Sequence, residues 1–183
     1  MNSNWKINQA VSALKAGEVI AYPTEAVYGL GCDPWNKEAV LQLLTIKQRP
    51  WQKGLIIIGS DLKQLQPFIA QLPEDTLKLL EATWPGPTTW LLPASEGLPS
   101  FLTGEHDTIA VRVTAHRQTA HLCREFGGPI ISTSANRAGM RPAKTKWQVN
   151  NQLSEIQVVL SGTCSGSDKP TEIRDAQTGE KIR

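Results

Sequence analysis

Cysteine is scarce in this chain, with three residues, Cys32, Cys123 and Cys164, among 183. An odd number cannot pair completely within the chain, and no Cys-x-x-Cys clip occurs, so neither a disulfide framework nor a structural zinc site is expected. The thiols read as small buried or half-buried side chains without chemistry of their own. Histidine is equally thin. Only His106, His116 and His121 are present, and the spacing of the last two puts no metal-binding pair on one helix face. Ordinary surface or capping roles suit those two better than catalysis.

No apolar run approaches the roughly 18 residues of a membrane span, and Met1 to Lys6 lacks the basic and apolar segments of a secretory signal. A reducing cytoplasm is the expected compartment, with no membrane partner. An excess of one charge is missing too: 19 Lys and Arg face 17 Asp and Glu. That balance is too even to identify a nucleic-acid binder by bulk electrostatics, so only local placement of cations is informative. No internal repeat of roughly 20 to 50 residues recurs. No tract rich in Pro, Ser or Gly is long enough to join two domains. At 20.1 kDa, a single domain over residues 1–183 is the expectation.

The standard nucleotide signatures are also absent. There is no Gly-x-x-x-x-Gly-Lys-Ser/Thr loop, and Gly29-Leu30-Gly31 does not continue into a dinucleotide-binding pattern. No Gly-x-Ser-x-Gly elbow presents a nucleophile. A nucleoside triphosphate, if bound, is held some other way.

What is there is an alternation of helical and strand signals. Ile7, Val11 and Leu14 recur at helical spacing before Gly17, a C-cap residue, and Glu18 to Tyr22 reads as a buried strand stopped by Pro23. Asn36 is placed to cap a helix whose inner face carries Val40, Leu41 and Leu44. Leu55 to Ile58 is a β-branched run suited to a strand covered on both faces. Helices are expected from Ser60 and from Pro73 to Trp84, and strands at Thr88 to Leu92 and Thr108 to Val113. His116 to Phe126 reads as a helix, Pro129 to Thr133 as a strand, Thr145 as the cap of a short helix, and Ile156 to Leu160 as a closing strand. The pattern is that of an α/β protein with a mixed sheet. Pro93 to Asp107 and Ser161 to Pro170 are the loosest stretches, suited to mobile loops over a site or to plain exposed connections.

Three segments join element ends to clusters of turn-forming and hydrogen-bonding residues: Tyr22 to Gly31, Lys47 to Pro50, and Ser132 to Asn136. Taken singly, each has a bland structural reading. Lys47 and Arg49 would complement a helix dipole, and Ser134 with Asn136 would build a turn. Taken together with Trp84-Pro85-Gly86-Pro87-Thr88-Thr89, with Val111-Arg112 and with Thr171 to Asp175, they form an ordered set. In that order the chain, from about residue 7 to about residue 175, resembles the YrdC/TsaC family of threonylcarbamoyl-AMP synthases.

The resemblance implies an α/β fold: a single-domain, YrdC-like twisted mixed sheet flanked by helices, with a concave cationic cavity. It further implies an enzyme, a nucleotidyltransferase, that converts L-threonine, bicarbonate and ATP into threonylcarbamoyl-AMP and pyrophosphate, the product feeding the t6A modification of tRNA. Carried over residue by residue, Lys47 and Arg49 are the catalytic cations. Lys53, Ser134, Asn136, Thr145 and Arg174 join them around ATP, while Thr24, Arg112 and Thr171 lie nearer the threonine and carbamate. Mg2+ is expected to arrive with ATP, without dedicated protein ligands. The implied macromolecular partners are tRNA or double-stranded RNA and a downstream t6A transferase complex of the TsaD/TsaB/TsaE kind. Longer relatives carry Pro-Leu-x-x-His where this chain has Gly54-Leu55-Ile56-Ile57-Ile58, so the contact of that histidine is absent or replaced, and Thr171 stands where serine is usual.

The residue types suit such chemistry. A carbamate attacking the α-phosphate of ATP brings two anions together, and unit charges about 4 Å apart interact by about 4 kcal/mol at an effective dielectric near 20. Two or three Lys or Arg groups in a partly closed cavity therefore decide whether the encounter occurs. Because the nucleophile is already an anion, no strong general base is needed, in keeping with the few histidines. Excluding water matters more, and Ser161 to Pro170 is the candidate lid. The competing readings are an RNA-binding ribosome-maturation factor using the same cationic concavity without catalysis, a carbamoyl-adenylating domain of the hydrogenase-maturation type, which the lack of Cys-x-x-Cys pairs argues against, and a structural interaction domain.

Overall fold

The computed structural model describes residues 3–166 and 171–182. Thirteen residues, Ser3–Lys15, form helix α1. It stops where Gly17 takes φ +79°, a left-handed value glycine adopts without strain. Strands β1 (Ile20–Pro23) and β2 (Tyr28–Gly31) follow, then helix α2 (Lys37–Lys47), N-capped by the Asn36 side chain as its sequence indicates. Next come β3 (Ile56–Gly59), α3 (Leu62–Leu65), α4 (Glu74–Thr83), β4 (Thr89–Pro93), α5 (Ser100–Thr103) and β5 (Thr108–Val113). The chain continues through α6 (Arg117–Phe126), β6 (Ile130–Ser134), α7 (Lys146–Gln152), β7 (Val158–Val159) and β8 (Ile173–Asp175).

The eight strands make one mixed sheet in the order β7-β1-β2-β6-β3-β5-β4-β8. Antiparallel pairing of β3 with β6, Ile57 opposite Ile131, joins its two halves. The alternation of side chains along each strand assigns the two faces. Leu30, Ile57, Val111 and Ile131 face a large core closed by α2, α4 and α7. On the other face, Ile20, Tyr22, Ile58 and Ile130 pack beneath α1 and α6, joined by Ile7, Leu14 and Leu122. The residues two positions further along the same face, Ile56 and Ser132, have no helix over them and line a cavity instead. The site exists because this side of the sheet is only half covered.

Four local expectations are corrected. Tyr22 to Gly31 reads as a turn cluster, yet its second half is strand β2; glycine weakens strand signals. A Cβ on Gly31 would sit 2.3 Å from the Ile131 carbonyl and 2.8 Å from the Tyr22 ring, so the bare backbone lets Tyr22 lie across the strand and donate to Ile131 O at 3.0 Å. The helix expected from Ser60 is a single turn capped by Asp61, passing into a 3-10 turn over Gln66–Phe68 because Pro67 cannot continue an α-helix. Pro93 to Asp107 contains the one-turn helix α5. The closing motif at Thr171 to Asp175 holds an edge strand, β8, paired with β4. Among the described residues, no helix is long and apolar enough to cross a membrane.

Candidate functional site

A cavity of about 910 Å3 opens over the uncovered half of the sheet. Its floor is made by alternate residues of β5 and β6, namely Thr108, Ala110 and Arg112 with Ser132 and Ser134, flanked by Leu55 and Ile56. Arg49, Lys53, Arg112, Arg141 and Lys144 bring positive charge to its lining, and among the described residues no carboxylate lines it. An anion entering this space meets a lining whose charged side chains, among the described residues, are all positive.

Six of the ten residues assigned from sequence line the cavity: Thr24, Arg49, Lys53, Arg112, Ser134 and Thr171. Thr24 sits in the β1–β2 turn, where its hydroxyl donates to Val27 O at 2.7 Å and keeps its lone pairs for another donor. Arg49 follows α2 and donates from Nη2 to Gly54 O at 3.0 Å, which ties it to the turn carrying Lys53. That turn needs glycine at position 54, whose φ is +58° and whose added Cβ would meet Thr103 O at 2.7 Å.

Lys47, Asn136, Thr145 and Arg174 stand behind or beside the cavity. The Lys47 side chain, only 5% exposed, donates from Nζ to Ser134 O and to Asn136 O, so it pins the Ser-x-Asn segment from beneath. Burial and the neighbouring Arg49 charge lower its ammonium from 10.5 to about 8. Asn136 turns its amide nitrogen to Arg137 O and Met140 O, at 2.8 and 2.7 Å. Thr145 caps α7 in a reciprocal box with Gln148 and borders a smaller recess with Lys144, Lys146 and Cys164. Arg174 pairs with Glu172 at 3.0 Å, and Lys181 holds the other oxygen of that carboxylate.

Sequence reading assigned no site role to Arg141, Lys144, His106, Gln148 and Gln152, all of which line the cavity. The available signal was two cations in the loop after Asn136, a Gly- and Pro-containing stretch that turns back over the site. His116, by contrast, has the capping role expected of it. Its Nδ1 accepts from Thr119 N at 3.3 Å, so Nε2 carries the proton and donates to Thr163 O at 3.0 Å. His121 pairs loosely with Glu125 on the surface.

The candidate lid begins beside the cavity, and its residues 167–170 lie outside the described residues. Its first part is held by Tyr28, whose hydroxyl donates to Gly162 O at 2.8 Å and accepts from Gly162 N at 3.1 Å. Tyr28→Phe removes both bonds at once, leaving the backbone groups of exposed Gly162 to water. The expected result is a loss of about 1 kcal/mol in chemical denaturation with faster proteolysis near Gly162; an unmoved denaturation midpoint would contradict this clasp.

Comparison with known proteins finds relatives in sequence and in fold. The Sua5/YciO/YrdC family model, described as telomere recombination, matches residues 12–183. A protein of Pseudomonas entomophila named threonylcarbamoyl-AMP synthase is 48% identical over 100% of this chain and 99% of its own length. One of the same name from Aliivibrio fischeri is 49% identical over 97% of each chain. The crystal structure of P. abyssi Sua5 complexed with L-threonine superposes with a TM-score of 0.88 at 32% identity, covering 96% of this chain and 52% of that one. The chain thus spans about half the length of that solved relative and nearly all of the two curated ones.

Proposed function

The chain belongs to the Sua5/YciO/YrdC family, and on that premise we propose that it is the enzyme that forms threonylcarbamoyl-AMP and pyrophosphate from L-threonine, bicarbonate and ATP for t6A modification of tRNA. The observation that carries this reading is the cavity itself: five Lys and Arg side chains, hydroxyls and no lining carboxylate among the described residues. The amine of threonine and bicarbonate give a carbamate, with loss of one water. Its oxygen attacks the α-phosphorus, the bond to the bridging oxygen breaks, and pyrophosphate leaves with the electron pair. This makes the activity a nucleotidyl transfer.

The residues divide by the charge they face. Arg49, Lys53, Arg141 and Lys144 supply the field for the triphosphate, with Ser134 donating a hydroxyl and Lys47 shaping the Ser134–Asn136 backbone from below. Arg112, Thr24 and Thr171 are assigned to the amino acid and carbamate. With no carboxylate in the lining among the described residues, Mg2+ would take its oxygens from phosphate and water and would neutralise part of the triphosphate charge. We place the enzyme in the cytoplasm, with tRNA and a TsaD/TsaB/TsaE-like complex downstream, since a labile mixed anhydride must be consumed close to where it forms.

Pyrophosphate release measured with each amino acid, with and without bicarbonate, tests this. Release is expected only when L-threonine and bicarbonate are both present. Release indifferent to threonine would refute the assignment.

A further inference from the structure

Glu25 belongs to the motif that marks the β1–β2 turn, yet its side chain stays out of the cavity. It is 6% exposed, and it meets the end of β5 on the sheet face that carries Arg112, although β6 and β3 lie between β2 and β5 in the sheet. Its Oε1 accepts from the Thr114 hydroxyl at 2.7 Å and from Ala115 N at 3.2 Å. Its Oε2 lies 3.5 Å from Arg112 Nη2. The carboxylate therefore grips the end of the strand that carries Arg112, and the guanidinium besides.

The pair is poorly made for a purely structural ion pair. Glu25 Oε2 and Arg112 Nε are buried without a hydrogen-bond partner, and the contact is neither short nor two-pronged. Such a pair stabilises a fold little, since the cost of burying both charges offsets their attraction. What it accomplishes is geometric. Arg112 is 4% exposed and lines the cavity. A guanidinium has five N–H donors, and a partner held at one nitrogen leaves the others to bind a second carboxylate.

We infer that Glu25 is a positioning residue: acting through Arg112, it orients the guanidinium that receives the carboxylate of the amino-acid substrate. This rests on the reading of the cavity as the site of an amino-acid-dependent adenylate synthesis. Glu25 touches no substrate, so its effect belongs to threonine and not to ATP.

The test is steady-state pyrophosphate release with threonine and ATP varied in turn, for the wild type, Glu25→Gln, Arg112→Lys and the double variant. Glu25→Gln keeps the shape and an oxygen for Thr114 while removing the charge opposite Arg112. It is expected to raise KM for threonine about tenfold and to leave KM for ATP within twofold. The double variant is expected to resemble Arg112→Lys alone, because the two residues act as one unit. Equal rises in both KM values, additive effects in the double variant, or a change confined to thermal stability would each overturn the proposal. Should Glu25→Gln fail to fold, Thr114→Val loosens the Oε1 anchor without changing charge; an unmoved threonine KM there also overturns it. A wild-type enzyme indifferent to threonine sinks the functional reading and the proposal with it, whereas a threonine-dependent wild type with unmoved variants sinks the proposal alone.

Discussion

Arg112→Ala is expected to lower kcat/KM for threonine about a hundredfold, a loss of about 2.7 kcal/mol, and to destabilise the protein at neutral pH by about 3–5 kcal/mol. Both effects have one origin. Removing the guanidinium empties the carboxylate-binding position of the cavity and leaves Glu25, 6% exposed, as a buried charge without its cation. The pH dependence of stability separates this from a general packing defect. In the wild type, burial pushes the Glu25 carboxyl up, but Arg112, the Thr114 hydroxyl and its own backbone N–H together bring it below its usual value of 4.5. Its stabilising contribution is thus present above that value and is lost as pH falls through the lower folded one. Without Arg112 the raising effect of burial dominates and the sign reverses. The variant is expected to gain stability as pH falls from about 7 to about 5, a window in which this group leaves the wild type unchanged; urea midpoints across that range decide it. A midpoint that does not move with pH in the variant would refute the pairing.

Lys47 carries the second large effect. Lys47→Ala, like Arg49→Ala, is expected to reduce turnover at least tenfold, about 1.4 kcal/mol of barrier, with ATP affinity falling more than threonine affinity. For Lys47 the proposed mechanism is indirect: its ammonium holds the Ser134 and Asn136 carbonyls and would act on the phosphates only as a charge behind the floor. With its folded value near 8 against an ordinary 10.5, the charged form is disfavoured by about 3 kcal/mol in the folded protein. That penalty is present below pH 8 and is relieved as pH rises toward 10.5, so this group makes the fold more stable in alkali. Binding of an anion goes the other way. Nucleotide affinity measured calorimetrically should decline between about pH 7.5 and 9, centred near the folded value of Lys47, while Lys47→Gln, which keeps a donor but no charge, should show a flat profile. A decline that persists in Lys47→Gln would remove Lys47 from the nucleotide field.

Much of the architecture is legible from periodicity and punctuation. The capped helices at Asn36, His116 and Thr145, and the strands at Ile56 and Thr108, follow from side-chain spacing and capping chemistry, which are local. The misses are equally physical. Strand β2 contains two glycines whose role is to make room for the Tyr22 ring, a partner set by tertiary pairing. Strand β8 is three residues long at a sheet edge and depends on β4 to exist. The site divides in the same way. The motif segments identified residues that meet at one cavity, but not which of them face it. Thr145 and Asn136 spend hydrogen-bonding groups on a helix cap and a turn, while Arg141 and Lys144 enter the lining from a loop marked by nothing more than its cations, glycine and proline.

By itself the sequence determined the class of the fold, the absence of metal clips and membrane helices, and the set of cations and hydroxyls available for anion chemistry, because each follows from composition or from residues near one another in the chain. The tertiary structure alone decided that α1 and α6 cover only half of one sheet face, and that Glu25, from the β1–β2 turn, meets Arg112 and Thr114 across a sheet order that puts two strands between β2 and β5. Those are consequences of strand order and register, which bring together residues 89 positions apart and which no local pattern encodes.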